Sequence, residues 1–209
     1  MDEQPQKRRI SRKGLLGLCD RLSGVDGRAV YHDGRVLLEA EGGETVAVLP
    51  PFPLEHEASY DRVETGPLVE ALERPRVVGL LGVRLGGYGA AVYRDEHLVA
   101  GRGGSRFVKN RNKKGGSSSN RFRRRREEQE RALLDAAAET AARVFEPYRE
   151  RIEHVALGGD RAAAEKVAER LPWLADKRLE RFFTVPEPRL RELERLPYEL
   201  YAAELSEER

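Results

Sequence analysis

The pattern of hydrophobic and polar residues divides the chain into two sections, residues 1–70 and residues 71–209. In the first section, apolar residues recur at helical spacing over residues 10–22, and Ser23-Gly24 ends this pattern. Three short β-type runs follow at residues 28–31, 35–40 and 45–49, separated by glycine-containing turns. Residues 50–66 are predicted to form a connector, and residues 68–72 one short helix. We therefore expect residues 1–70 to form a small N-terminal subdomain with one main helix and several strands.

The second section, residues 71–209, shows strands that alternate with helices. Strands are predicted at residues 76–84, 88–94, 97–101, 105–109, 152–157 and 181–185. Helices are predicted at residues 121–146, 161–171 and 188–196. Because strands and helices alternate in its later part, the section is predicted to be an α/β domain with a mixed sheet.

The predicted helix at residues 121–146 is unusual because its two ends differ in character. Its first turns are basic, whereas its later turns carry the apolar residues Leu133, Leu134, Ala137, Ala141 and Phe145 on one face. Pro147 ends it. We expect the later turns to be anchored in the domain and the basic first turns to project from it.

Composition excludes several classes of protein. The 209 residues are 39% hydrophobic, which allows an adequate core, and the longest apolar stretch, residues 77–83, is far shorter than a membrane span. With no apolar signal segment near residue 1, we expect a cytoplasmic protein without a membrane partner. Cys19 is the only cysteine and is expected to be buried. The four histidines show no ligand spacing, so neither a metal site nor a cofactor is expected.

Charge is concentrated in residues 102–126, which contain eleven lysines and arginines and no acidic residue. The whole chain carries 38 basic and 36 acidic residues, so the remainder without this window has a formal charge of −9. A solvated helix surface normally mixes both signs. Phe107 and Phe122 are interleaved with the cations. This segregation predicts a surface for a polyanion, and nucleic acid is the favoured one.

A small-residue segment lies between the two basic arms of this window. It reads Gly115-Gly116-Ser117-Ser118-Ser119-Asn120, within a predicted loop at residues 109–120. The glycines lack Cβ and allow the backbone to approach a substrate closely. Hydroxyls and an amide can orient a water molecule, but none of them is a general base at neutral pH. Such a loop suits a catalyst whose partner supplies most of the site, or else it is only a linker.

Five elements of the sequence, in this order, resemble the Vms-like release factors, relatives of the middle domain of eukaryotic and archaeal class-one peptide release factors. They are Gly104–Val108 (GSRFV), the Gly115-Gly116 pair, Arg121–Arg126 (RFRRRR) with Gln129, Leu157–Arg161 (LGGDR), and Phe183–Arg189 (FTVPEPR). The resemblance covers roughly residues 76–204, together with the Pro50-Pro51-Phe52 turn.

The resemblance implies a ribonuclease-H-like release-factor domain that hydrolyses peptidyl-tRNA, a carboxylic ester, on stalled ribosomal complexes. It implies that the loop places the hydrolytic water, here through Gly115, Gly116, Ser119 and Asn120. Relatives carry a glutamine where this chain has Ser119 and Asn120, so either Asn120 and nearby backbone amides replace it or hydrolysis is weakened or lost. Ribosomal RNA and tRNA would be contacted by Arg106, Lys109, Arg111, Lys113, Lys114, Arg121, Arg123, Arg124, Arg125 and Arg126.

Two alternatives stay open from the sequence. One is a non-catalytic ribosome- or tRNA-binding factor that uses the same basic surface, and the other is an RNA-binding module unrelated to translation. A nuclease is disfavoured because that chemistry needs clustered carboxylates around metal ions, and Asp160 and Glu187 do not make such a cluster. The sequence does not fix the oligomeric state; a monomer is favoured.

Overall fold

The computed structural model describes residues 7–108 and 119–208. Its helices are α1 (Arg12–Leu22), α2 (Gly66–Glu73), α3 (Ser119–Phe145), α4 (Arg161–Ala168), α5 (Leu190–Leu193) and α6 (Pro197–Leu200). Its strands are β1 (Lys7–Ile10), β2 (Asp26–His32), β3 (Arg35–Ala40), β4 (Thr45–Leu49), β5 (Ala58–Arg62), β6 (Val77–Arg84), β7 (Gly87–Arg94), β8 (His97–Ser105), β9 (His154–Gly159), β10 (Arg178–Phe183) and β11 (Ala203–Glu208).

The contacts within the chain separate it into two units. Unit 1 consists of Met1–Pro75 together with Tyr198–Arg209, and unit 2 consists of Arg76–Pro197. The sequence pattern placed the division after residue 70 and assigned all later residues to the second domain. The structure divides the chain after Pro75, and the last strand returns to unit 1. Pairing between residues so far apart leaves no local signal in the sequence.

Unit 1 is a six-stranded sheet with helices against one face. The strand order is β1-β11-β4-β3-β2-β5, and all neighbours are antiparallel. Buried residues alternate along β2, β3 and β4 and form a core with the apolar faces of α1 and α2. Ser11 caps the start of α1: its Oγ accepts a hydrogen bond from the backbone nitrogen of Gly14 at 3.2 Å. Ile10, predicted to start this helix, ends β1 instead.

Cys19 lies in the core of unit 1, as the sequence predicted. Its residue surface is 0% exposed, and burial raises the pKa of its thiol to about 11. The hydroxyl of Thr65 donates a hydrogen bond to the carbonyl oxygen of Cys19 at 3.3 Å. Because reactive cysteines are accessible and have lowered pKa values, Cys19 has a packing role.

Unit 2 contains a five-stranded mixed sheet, which confirms the predicted α/β class. The strand order is β10-β9-β6-β7-β8. Strand β6 is parallel to β9, and β9 is parallel to β10, whereas β6, β7 and β8 form antiparallel hairpins. The central strands β6, β7 and β9 are almost fully buried, in keeping with their apolar sequences.

Helix α3 packs across β6, β7 and β8, with α4 beside it. The apolar residues of its later turns, from Leu133 to Phe145, belong to the main core of unit 2, as predicted. The helix begins at Ser119, two residues earlier than the pattern indicated, so Ser119 and Asn120 belong to the helix and not to the loop. It ends at Phe145, and Pro147 lies in a following 3₁₀ turn, Glu146–Tyr148.

Other predicted elements differ from the structure at their ends. The predicted connector at residues 50–66 contains β5, a short and mostly polar strand without an apolar pattern. A separate strand at residues 105–109 is wrong: β8 runs without interruption to Ser105, and Arg106–Val108 are not in a strand. Strand β10 begins three residues before its predicted start, and α5 covers only four residues of the helix predicted at residues 188–196.

The described residues contain neither a membrane-spanning helix nor a cluster of metal ligands. Over residues 7–108 and 119–208, no helix is long and apolar enough to span a membrane. Within the same ranges, histidine, cysteine and carboxylate side chains form no group of three or more that could hold a metal ion.

Candidate nucleic-acid interface

The first turns of α3 lie outside the hydrophobic core. The helix has 27 residues and is therefore about 40 Å long. None of its side chains from Asn120 to Ala132 is buried, and burial begins at Leu133. The later turns of α3 are therefore buried in unit 2 and its basic first turns are exposed, whereas the projection of these turns from the domain stays a prediction.

Five arginines in this exposed part give it a strong positive charge. They are Arg121, Arg123, Arg124, Arg125 and Arg126; the first four are exposed and Arg126 is half-buried. The Nε of Arg123 lies 3.7 Å from the Oε1 of Glu127, one turn later. Among the described residues, the other four arginines have no ion pair with a carboxylate. Because an exposed pair contributes little, most of this charge is available to a polyanion.

The basic window has a strand arm, from the end of β8 to Val108, and a helix arm, which is the first turns of α3. The backbone nitrogen of Arg106 donates a hydrogen bond to the carbonyl oxygen of Gly86 at 3.3 Å, and the Arg106 side chain is exposed. Val108 packs against the core of unit 2, whereas the adjacent Phe107 is 74% exposed. Phe122, on the helix arm, is 42% exposed. Each arm therefore presents arginine together with an exposed phenylalanine.

Only part of the predicted site lies within the described residues. Lys109, Arg111, Lys113, Lys114, Gly115 and Gly116 are outside them. Ser119 and Asn120 form the start of α3, next in sequence to the arginines of the same helix. The described part of the predicted site therefore consists of Ser119, Asn120 and the five arginines, which are neighbours in α3, together with Arg106 after β8. The catalytic role of Gly115, Gly116, Ser119 and Asn120 stays a prediction.

The Gly158-Gly159-Asp160 element has a structural role in unit 2. The Oδ1 of Asp160 accepts a hydrogen bond from the backbone nitrogen of Ala163 at 2.9 Å and caps α4. Gly159 has φ +94°, and a Cβ there would lie 2.2 Å from the carbonyl oxygen of Val83. Only glycine fits at this close approach of β9 and β6. This element therefore caps α4 and allows β9 to approach β6 closely.

The Phe183–Arg189 element and α5 cover glycines of the sheet. A Cβ on Gly82 would lie 2.8 Å from the Cβ of Pro188, and one on Gly103 would lie 2.7 Å from the backbone nitrogen of Leu190. The glycine-rich segment at residues 82–89 contains the turn Leu85-Gly86 between β6 and β7, and the strand glycines on either side of this turn leave room for the covering segment. The spacing of glycines along β6, β7 and β8 was the available signal.

Comparison with protein families gives a match over residues 76–206, more than half of the chain. The matching family is described as the Actinobacteria/chloroflexi VLRF1 release factor. The match begins at the first residue of unit 2. A comparison with curated proteins gives no match.

Several solved structures are similar to this chain at low identity. The archaeal translation termination factor aRF1 is 16% identical, with a TM-score of 0.43, over 80% of this chain and 49% of that one. The Vms1 mitochondrial localization core is 12% identical, with a TM-score of 0.47, over 81% and 75%. Pelota from Archaeoglobus fulgidus is 12% identical, with a TM-score of 0.33, over 96% and 64%. The chain thus spans about half the length of the archaeal termination factor.

Proposed function

Because this chain belongs to the Actinobacteria/chloroflexi VLRF1 release-factor family, we propose that it is a ribosome-associated hydrolase of peptidyl-tRNA. In this reaction, water adds to the carbonyl carbon of the ester that joins the nascent peptide to tRNA. The ester C–O bond then breaks, giving a peptide with a free carboxyl group and a tRNA with a free 3′-hydroxyl. The substrate is a peptidyl-tRNA held on a stalled ribosomal complex, and the protein acts in the cytoplasm.

The observation that carries this proposal is the exposed arginine run at the start of α3. Five arginines precede the first acidic residue of the helix, and four of them have no ion pair with a described carboxylate. A folded core gains nothing from concentrated like charge, which repels itself. Ribosomal RNA and tRNA offer the matching surface, because their phosphates are bound by arginine through charge-assisted hydrogen bonds.

Asn120 is the side chain we propose for orienting the water. It stands in the first turn of α3, where backbone N–H groups lack acceptors within the helix and the helix dipole favours negative charge. Such donors can stabilise the oxyanion that develops as water adds to the ester. Ser119, Gly115 and Gly116 complete the proposed set, the glycines by allowing the backbone close to the ester. No member is a general base, so the loop positions the water, and a proton of that water ends on the departing 3′-oxygen of the tRNA.

The sheet of unit 2 is in keeping with the same function. We propose that unit 2 is a ribonuclease-H-like release-factor domain, in keeping with its mixed sheet of three antiparallel strands joined to two parallel ones. Helix α3 follows the last antiparallel strand, β8, so the basic segment lies between the two. The sheet thereby anchors both arms of the proposed catalytic loop.

A non-catalytic ribosome- or tRNA-binding factor is the second candidate. The observation that favours it is the absence of glutamine at Ser119 and Asn120, where the resembling release factors place one. Both candidates require RNA binding, and only the first requires hydrolysis. Release of labelled peptide from peptidyl-tRNA–ribosome complexes separates them, because binding without release supports the second.

A further inference from the structure

Phe107 and Phe122 are exposed phenylalanines within the most basic part of the described chain. Phe107 is 74% exposed and Phe122 is 42% exposed. Single exposed apolar side chains are common on proteins. These two are distinguished by being aromatic and also adjacent in sequence to exposed arginine: Phe107 follows Arg106, and Phe122 lies between Arg121 and Arg123.

The fold does not require Phe107 to be aromatic or apolar. Its neighbour Val108 packs against the core of unit 2. A hydrogen bond from the backbone nitrogen of Arg106 to the carbonyl oxygen of Gly86 holds the backbone in place at the end of β8. Phe107 therefore contributes little to the packing of this arm. Its large apolar surface stays in contact with water, which is unfavourable unless a ligand covers it.

Phe122 lies on the same side of α3 as the core residue Leu133, but outside the core. It lies eleven residues before Leu133, and at 100° per residue the two side chains fall within about 20° of the same side of the helix. Leu133 is 0% exposed, whereas Phe122 stands about 16 Å earlier along the axis, where the described helix buries no side chain. On this side of the helix, Arg126 and Gln129 separate the buried Leu133 from the exposed ring of Phe122.

We propose that Phe107 and Phe122 stack against unpaired bases of RNA while the neighbouring arginines bind the phosphates of the same strand. This inference rests on the proposed function, from which it takes RNA as the ligand. Bases within a duplex are already stacked and their faces are inaccessible, so exposed aromatic side chains favour single-stranded loops and ends. The proposal therefore names unpaired RNA as the ligand of this surface.

The experiment compares binding of the full chain to a labelled single-stranded oligoribonucleotide and to a blunt RNA duplex of equal length at one salt concentration. Phe107→Leu and Phe122→Leu keep an apolar side chain but remove the stacking ring. Each is expected to weaken single-strand binding roughly five- to a hundredfold and to leave duplex binding within about twofold. Phe107→Trp and Phe122→Trp should keep the affinity, with the tryptophan fluorescence quenched by the single strand.

A matched control is Tyr198→Leu, which removes an aromatic side chain that is 70% exposed and lies away from the arginine run in sequence. It should bind both RNAs like the wild type. Unchanged single-strand binding by both leucine variants would overturn the proposal, as would equal losses for single strand and duplex. A protein that releases no peptide but shows the predicted discrimination would refute the proposed hydrolysis and leave this inference standing.

Discussion

Arg123 and Glu127 form an ion pair of 3.7 Å at the point in α3 where the arginine run meets the first acidic residues. Before this pair, the helix carries no carboxylate; after it, acidic and basic residues are mixed, as on an ordinary solvated surface. The pair therefore marks the boundary between the part of α3 that belongs to the domain and the part we assign to RNA.

Replacing Arg123, Arg124, Arg125 and Arg126 with alanine should remove much of the salt dependence of RNA binding. Each neutralised phosphate contributes about −0.9 to the log–log slope for duplex RNA and about −0.7 for single strands, taking the DNA values as a guide. The slope should therefore become shallower by up to about 3.6 or 2.8, respectively, when affinity is measured from low to moderate salt.

A matched comparison separates this local effect from net charge. Arg124→Ala with Arg125→Ala and Arg131→Ala with Arg143→Ala both remove two exposed arginines from α3. Only the first double variant should reduce RNA affinity and slope substantially. Equal losses in the two would mean that overall charge, and not the start of the helix, governs binding.

Asp160→Ala should destabilise the protein by about 1 kcal/mol, because it removes the N-cap of α4. Asp160→Asn should restore most of this free energy, since asparagine accepts the same hydrogen bond. Urea denaturation measures both. If instead Asp160→Asn folded normally but lost peptide release, the carboxylate would have a chemical role that the capping geometry does not give it.

Gly159→Ala should destabilise unit 2 by more than the approximately 1–3 kcal/mol typical of a strained backbone. It combines a positive φ with a Cβ only 2.2 Å from the Val83 oxygen. Gly86→Ala is the matched control, because Gly86 also has a positive φ (+100°) but a Cβ added there would meet nothing within 4 Å. The melting temperature should fall clearly more for Gly159→Ala than for Gly86→Ala. Equal falls would show that the space between β6 and β9 accepts a side chain at residue 159.

Cys19 should be unreactive toward a thiol reagent in the folded protein. Burial raises its pKa to about 11, so at pH 8 only about a thousandth of the thiol is ionised, and the residue is 0% exposed. Labelling should become fast when denaturant unfolds unit 1. Rapid labelling under native conditions would show that this core opens readily.

The sequence predicted elements with strong local signals and missed those defined by distant contacts. Strands β3 and β4 match their predicted bounds because alternation and glycine turns set them locally. Strand β11 was not predicted, since it forms by pairing with β1 and β4 from the opposite end of the chain. Strand β5 was also missed, because its polar sequence, ASYDR, lacks an apolar alternation.

In the candidate site, too, features with a local signal could be predicted from the sequence and features that depend on distant contacts could not. The arginine run and the division of the helix into exposed first turns and buried later turns could be predicted, because charge and helical periodicity are local properties of the sequence. The exposure of Phe107 beside the packed Val108 could not, since adjacent residues outside a regular strand give no directional signal. The covering of Gly82 and Gly103 by Pro188 and Leu190 likewise depends on contacts between distant segments.

Variants of Asn120 test the chemistry that we assign to its amide. Asparagine is one methylene shorter than glutamine, so its amide reaches roughly one bond length less. Misplacement of about 1 Å can cost on the order of a hundredfold in rate. Asn120→Ala should reduce peptide release, and Asn120→Gln should preserve or improve it, measured in single-turnover reactions. A slower Asn120→Gln variant would show that the loop is built around the shorter side chain.

Hydrolysis of peptidyl-tRNA by the loop is measured as release of labelled peptide from purified peptidyl-tRNA–ribosome complexes, comparing the wild type with Gly116→Val. Ribosome binding is measured in the same samples, so that hydrolysis is judged at equal occupancy. We predict that the wild type releases peptide and that Gly116→Val binds but releases none, because a branched side chain blocks the backbone's approach to the ester. Equal release by the two proteins, or no release by a wild type that binds the ribosome, would contradict the assignment of hydrolysis to this loop.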